Sequence, residues 1–219
     1  MNPERPEYST IEKTAVSEIT VKKSRFIGQL FHCSGFDEAQ DIIASVRKKY
    51  YDASHGCTAM IFGDNRELMR CSDAGEPQGT AGVPMLDVLK GSGLTYILAI
   101  VTRYFGGTLL GTGGLVRAYS SSVKETLAVC ETVTFMPVIT YSLEVPFKLW
   151  GKADAYIKQN GILCETEYRD VVALTLRMKK EQEQSFIKDI AEISAGKMIP
   201  VRGESQYIKI NNGIYRGKL

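Results

Sequence analysis

Histidine is scarce in this chain: 219 residues hold only His32 and His55, beside a single tryptophan, Trp150. The five cysteines (Cys33, Cys57, Cys71, Cys130, Cys164) form no C-x-x-C pair. Neither a disulfide framework nor a zinc knuckle is therefore expected. No apolar run approaches the ~18 residues of a membrane span, and the start MNPERPEYSTIEK has no apolar signal core. An excess of one charge is missing too. The net charge is +2, so any case for nucleic acid rests on local patches. These absences predict a cytoplasmic protein with reduced thiols and no membrane association. The length allows one large domain or two small ones.

What is present falls into two patterns. Residues 18–33 read as one long strand with Lys22, Lys23 and Arg25 near its start. The segment 37–50 is amphipathic at helical spacing, with Ala39, Ile42, Ile43, Val46 and Tyr50 on one face. A hairpin follows, with strands near 56–62 and 67–71 around Gly63-Asp64-Asn65. The loop SDAGEPQGTAG leads into a helix beginning near Pro84, and 94–102 is a continuous apolar run suited to a central strand. A helix is expected from about Leu115 to Cys130.

After Pro137 the order reads strand 138–145, helix 147–159, strands 162–168 and 171–178, helix 181–194 and strand 198–210. That is the ferredoxin-like β-α-β-β-α-β arrangement. The fold class is α+β, with expected domains at 1–137 and 138–219. The tail carries Lys197, Arg202, Lys209, Arg216 and Lys218 against Glu204, a modest basic patch. A four-stranded sheet on two helices can offer one open face to RNA, although no RNP-like aromatic run is visible.

The stretch RYFGGTLLGTGGLVRAY, from Arg103 to Tyr119, packs five glycines between two arginines. It is not a P-loop, because Thr112 stands where the phosphate lysine belongs, and Val116 breaks the dinucleotide fingerprint. No cofactor motif is complete, and no cofactor is expected. A looser anion site remains, in which loop amides at a helix start join Arg103 and Arg117 on phosphate. Tyr104, Phe105 and Tyr119 flank the loop and can stack on bases. The same glycines also suit tight turns and close packing.

A second constellation joins YDASHGCTAM to SDAGEPQGTAG and offers Asp52, Ser54, His55, Cys57, Ser72, Asp73 and Glu76. Ser54 and His55 point to opposite faces of an extended chain, which disfavours a hydrolase triad. His55 and Cys57 share a face, either as a catalytic pair or as ordinary core. Asp73 and Glu76 make a thin shell for a divalent ion. Otherwise they cap the next helix, or pair with Arg103 or Arg117.

In order, DASHGCTAM, SDAGEPQGTAGVPML, VTRYFGGTLLGTGGLVRAY and the β-α-β-β-α-β tail resemble the Impact (YigZ-like) family over nearly the whole chain. The resemblance implies an N-terminal fold like the second domain of ribosomal protein S-five. It also implies a C-terminal module similar to the last domain of the translocation elongation factor. Ala74 stands where a second aspartate is more often expected, which weakens a metal reading of that loop. The motif positions that transfer are Asp52, Ser54, His55, Asp73, Gly75, Glu76, Pro77, Gly79 and Thr80 from the first blocks. From the glycine block they are Arg103, Tyr104, Phe105, Gly106, Gly107, Gly111, Gly113, Gly114, Arg117 and Tyr119. The implied role is translation-linked: binding of RNA, the ribosome or a translation-associated protein, without catalysis. Two further readings stay open. One is an enzyme acting on a small phosphorylated or amide substrate at a His55/Asp73/Glu76 cleft. The other is a protein-interaction module in the small domain.

Overall fold

A computed structural model describes residues 6–214. The architecture is mixed α+β and divides into two compact units. One holds Tyr8–Thr134 with the chain from Ile210, and the other holds Phe135–Lys209 with the chain up to Glu7.

The first unit begins with β1 (Tyr8–Ile11), followed by β2 (Ala15–Val21) and β3 (Ser24–His32). The single long strand expected over 18–33 is therefore a hairpin, with Val21 paired to Ser24. Its turn is Lys22-Lys23, and both residues lie in the left-handed region at φ 47° and 68°. This is the mirror-image turn that tight hairpins prefer, here built without the usual asparagine or glycine. Next come α1 (Phe36–Lys49), β4 (His55–Phe62), β5 (Leu68–Ser72), α2 (Gly82–Ser92), β6 (Ile97–Tyr104) and α3 (Thr112–Val129).

The sheet order is β2-β3-β6-β4-β5. Ile97, Ala99 and Val101 of β6 join the core under α2 and α3, while Leu98 and Ile100 join the core under α1. Both faces of β6 are covered, which is why its sequence is apolar without alternation. The strand also runs on through Arg103 and Tyr104, beyond the apolar run 94–102 that marks it in the sequence.

The second unit opens within β7 (Glu131–Val145), a strand that includes Pro137. It continues through α4 (Phe147–Asn160), β8 (Ile162–Tyr168), β9 (Val172–Lys179), a single 3-10 turn, α5 (Glu183–Ser194) and β10 (Val201–Ile214). β10 lies beside β7, then come β9 and β8, so the β-α-β-β-α-β reading holds with β7 and β9 central. Val172, Leu174, Leu176 and Met178 alternate into a core with Phe186 and Ile190 of α5. On the opposite sheet face Glu144, Glu165, Glu167, Ala173, Thr175 and Lys197 line an open groove of about 870 Å³. Its wall mixes three carboxylates with an ammonium, and Arg177 and Lys179 share the alternation of Ala173 and Thr175 along β9. In the tail, Arg202 is paired with Glu183 at 2.7 Å, and Arg216 and Lys218 lie outside the described residues.

Candidate functional site

The two motif-bearing segments meet at one end of the first unit, where β4 and β6 run antiparallel and His55 pairs with Arg103. Glu76 arrives from the loop between β5 and α2. Its Oε1 accepts from Arg103 Nη1 at 2.6 Å and from the Tyr119 hydroxyl at 2.7 Å. The Glu76 and Arg103 side chains are 3% and 6% exposed. Arg103 is thus buried and committed to a carboxylate rather than free for a surface phosphate. It also faces the Phe26 and Phe105 rings at 5.5 and 5.6 Å.

Tyr119 is not a stacking platform either. It is fully buried, edge-on to Phe26, and burial drives its phenol far above the ordinary value. Its helix position explains this: Ala118 and Tyr119 face the core, while Arg117 on the same turn faces out.

Asp73 does the capping that sequence reading allowed. Its Oδ1 accepts from Ala81 and Gly82 amides at 3.0 and 2.8 Å, and its Oδ2 accepts from Gly79 at 2.8 Å. Burial opposes ionisation of Asp73, but the three N–H donors outweigh it and hold the carboxyl below its ordinary value. Thr80 is likewise turned inward, donating to the Pro77 carbonyl at 2.6 Å. Asp73 and Thr80 thus serve to shape this loop. Cys57 donates to the Asp73 carbonyl, and burial pushes its thiol up to about 12, so a catalytic Cys57–His55 pair is not formed. Among the described residues no group of three or more His, Cys, Asp or Glu is placed to hold a metal.

His55 is different, with its side chain 27% exposed. Nδ1 donates to the Ala74 carbonyl at 3.1 Å, which places the lone pair on Nε2 of the neutral ring. Nε2 lies 4.0 Å from Glu76 Oε2. Beside it a cleft of about 420 Å³ opens, with Ile43, Val46, Tyr50, His55, Ala74 and Thr102 in its wall. At the rim, the Tyr104 hydroxyl donates to Asp52 at 2.8 Å, and Ser54 Oγ accepts the Phe105 amide at 3.2 Å.

The glycine loop is shorter than expected, because α3 starts at Thr112 and takes Gly113 and Gly114 into its first turn. Gly107 and Gly111 have positive φ, which suits their residue type. Gly106 serves close approach: a Cβ there would run into the backbone of Lys23 and Ser24. Its amide donates to Ser24 Oγ at 3.1 Å. The Lys22-Lys23 turn therefore sits on the root of the loop, a neighbour that sequence reading missed along with the buried Ser24. Nothing in the turn's composition marks it as a turn.

Lys22 and Arg117 share the wall of a small pocket of about 170 Å³ with Leu110, Gly114 and Ser121. Lys22, Lys23 and Arg117 are exposed and have no ion-pair partner among the described residues. The N-cap of α3, Gly111, gives its first turn no side-chain cap. Phe105, 49% exposed, and Leu109, 82% exposed, stand beside this basic corner.

Residues 22–127 match the Impact N-terminal domain family, and residues 143–197 match a domain of unknown function (DUF1949). The chain belongs to the IMPACT family. It is 36% identical to the IMPACT family member YvyE of Bacillus subtilis, covering 92% of this chain and 94% of that relative. It is 39% identical to the IMPACT family member YigZ of Escherichia coli, over 84% of this chain and 91% of the relative. A solved structure titled as that of a hypothetical protein matches at TM-score 0.58 and 34% identity, covering 91% of this chain and 98% of that one. No helix among the described residues is long and apolar enough to cross a membrane.

Proposed function

We propose that this protein binds the phosphate backbone of RNA, free or in the ribosome, in a translation-linked role and without catalysis. The observation that carries the reading is the basic corner at the glycine loop. Two cations from different elements, Lys22 and Arg117, line one small pocket with the first turn of α3. The guanidinium of Arg117 lies back over that turn, 3.9 Å from where a Cβ on Gly113 would stand. Free amides at a helix start and forked guanidinium donors both suit phosphate oxygens. Phe105, half exposed, offers a ring face for stacking, as the buried Tyr119 does not. Arg103 and Glu76 support the loop from beneath.

The test is a salt titration of binding to single-stranded RNA and to purified ribosomes. Affinity is expected to fall steeply with salt, because each phosphate contact releases counterions. Lys22→Ala/Arg117→Ala lowers the log–log slope by about one to two units. Binding that ignores salt and both residues refutes the reading.

The alternative is an enzyme acting on a small phosphorylated or amide substrate. It keeps one favourable observation, the cleft beside a tautomer-fixed His55. Asp73 drops out of that site, since its oxygens are taken by three backbone amides.

A further inference from the structure

Glu76 Oε1 is saturated by Arg103 and Tyr119, whereas Oε2 has no hydrogen-bond partner among the described residues. The atom facing it, 4.0 Å away, is His55 Nε2, which in the neutral ring carries the lone pair because Nδ1 donates to Ala74. That separation is too long for a direct hydrogen bond. Two acceptors, one on a carboxylate whose side chain is 97% out of solvent, are thus held facing one gap that is open on the His55 side.

A gap between two acceptors calls for donors. We infer that His55 and Glu76 form a subsite for ribose hydroxyls, so that the protein distinguishes RNA from DNA. The inference rests on the RNA reading above. Adjacent ribose hydroxyls lie about one hydrogen-bond length apart, so each O–H can reach one acceptor. Within a strand the 2′-hydroxyl donates to His55 Nε2, and a water completes Glu76 Oε2. Deoxyribose brings a C–H there and leaves Nε2 without that donor. The subsite adjoins the phosphate corner through short links. Ser54, next to His55, takes the Phe105 amide at the start of the glycine loop, and Arg103, which holds Glu76, is two residues before Phe105. The cleft with Tyr50, His55 and Ala74 in its wall gives the base a place beside the sugar.

The experiment compares a short oligouridylate with the matched oligodeoxyuridylate at low salt, on the full chain and on His55→Phe and His55→Gln. Wild type binds RNA roughly three- to tenfold tighter, the worth of about one neutral hydrogen bond. His55→Phe, with its melting temperature checked, loses most of that preference while keeping its DNA affinity, and His55→Gln, which returns an acceptor, recovers part of it. Equal binding of RNA and DNA by the wild type overturns this inference and leaves the phosphate reading standing. A preference that survives His55→Phe places hydroxyl recognition elsewhere and also overturns it. Binding to neither polymer removes both readings.

Discussion

Arg103 Nη1 meets Glu76 Oε1 at 2.6 Å with both side chains almost wholly out of solvent. One partner lies on β6 and the other in the loop before α2, so the pair ties the root of the glycine loop to the SDAGEP segment. Removing one member strands a buried charge. Arg103→Ala and Glu76→Ala are each expected to cost about 3–5 kcal/mol in chemical denaturation. Replacing both at once with apolar residues of similar size is expected to cost much less than the sum. If the single changes cost no more than a surface pair does, the burial described here is incorrect.

The glycines of the loop separate into two kinds. A Cβ on Gly106 would strike the backbone of Lys23 and Ser24, whereas one on Gly113 meets only the tip of the Arg117 side chain at 3.9 Å. Gly106→Ala should destabilise by about 1–3 kcal/mol, the range for forcing atoms into a packed site. Gly113→Ala lies in a helix and should be neutral or stabilising by up to about 1 kcal/mol. Thermal melts of the two variants test the contrast.

Most of the element order is legible in the sequence, because amphipathic period in α1 and continuous apolarity in β6 both report packing directly. The Lys22-Lys23 turn is not. Two left-handed lysines give no turn signal, so the flanking strands read as one. The site was half legible. Residue types place Asp52, His55, Glu76 and the glycine loop together, but they do not tell a buried arginine from an exposed one. Arg103 and Arg117 bracket the same loop and differ only in which face of their element they occupy. Tyr119 is illegible for the same reason, since its ring belongs to the core stripe of α3.

Asp73 links loop shape to pH. Its carboxyl is held below the ordinary value when folded, so its contribution is present above the unfolded value and lost as pH falls through the folded one. Denaturation midpoints of the wild type between about pH 5 and 2 should therefore drop more steeply than those of Asp73→Asn. At neutral pH the same variant should cost about 1 kcal/mol, as lost caps do. Identical acid limbs in the two proteins would show that Asp73 titrates without linkage to folding.

The thiols should sort by burial. Cys33 and Cys57 are pushed up to about 12 and Cys130 to about 11 by burial, while Cys71 on β5 and Cys164 on β8 are exposed. The thiolate is the nucleophile, so iodoacetamide at neutral pH should label Cys71 and Cys164 and spare the other three until the chain unfolds. Burial also raises the Cys71 thiol, so it should react more slowly than a free thiol. Mass spectrometry of timed samples reads this directly, and early labelling of Cys57 would contradict its seat on the Asp73 carbonyl.

Stability and binding should come apart at the two arginines that bracket the loop. Arg117 is exposed on α3 and shares a pocket with Lys22, whereas Arg103 is buried against Glu76. Arg117→Ala should leave the melting temperature nearly unchanged, since surface charges contribute little to folding. It should lower the salt slope of RNA binding by about 0.7–0.9, the share of one phosphate on a single strand or duplex. Arg103→Lys, which keeps a charge while losing the fork that spans Glu76 and Ser24, should do the opposite. It should lower the melting temperature and keep the slope, provided binding is measured well below the transition. If Arg103→Lys instead reduces the slope with the fold intact, then Arg103 reaches phosphate and the burial seen here opens when RNA binds.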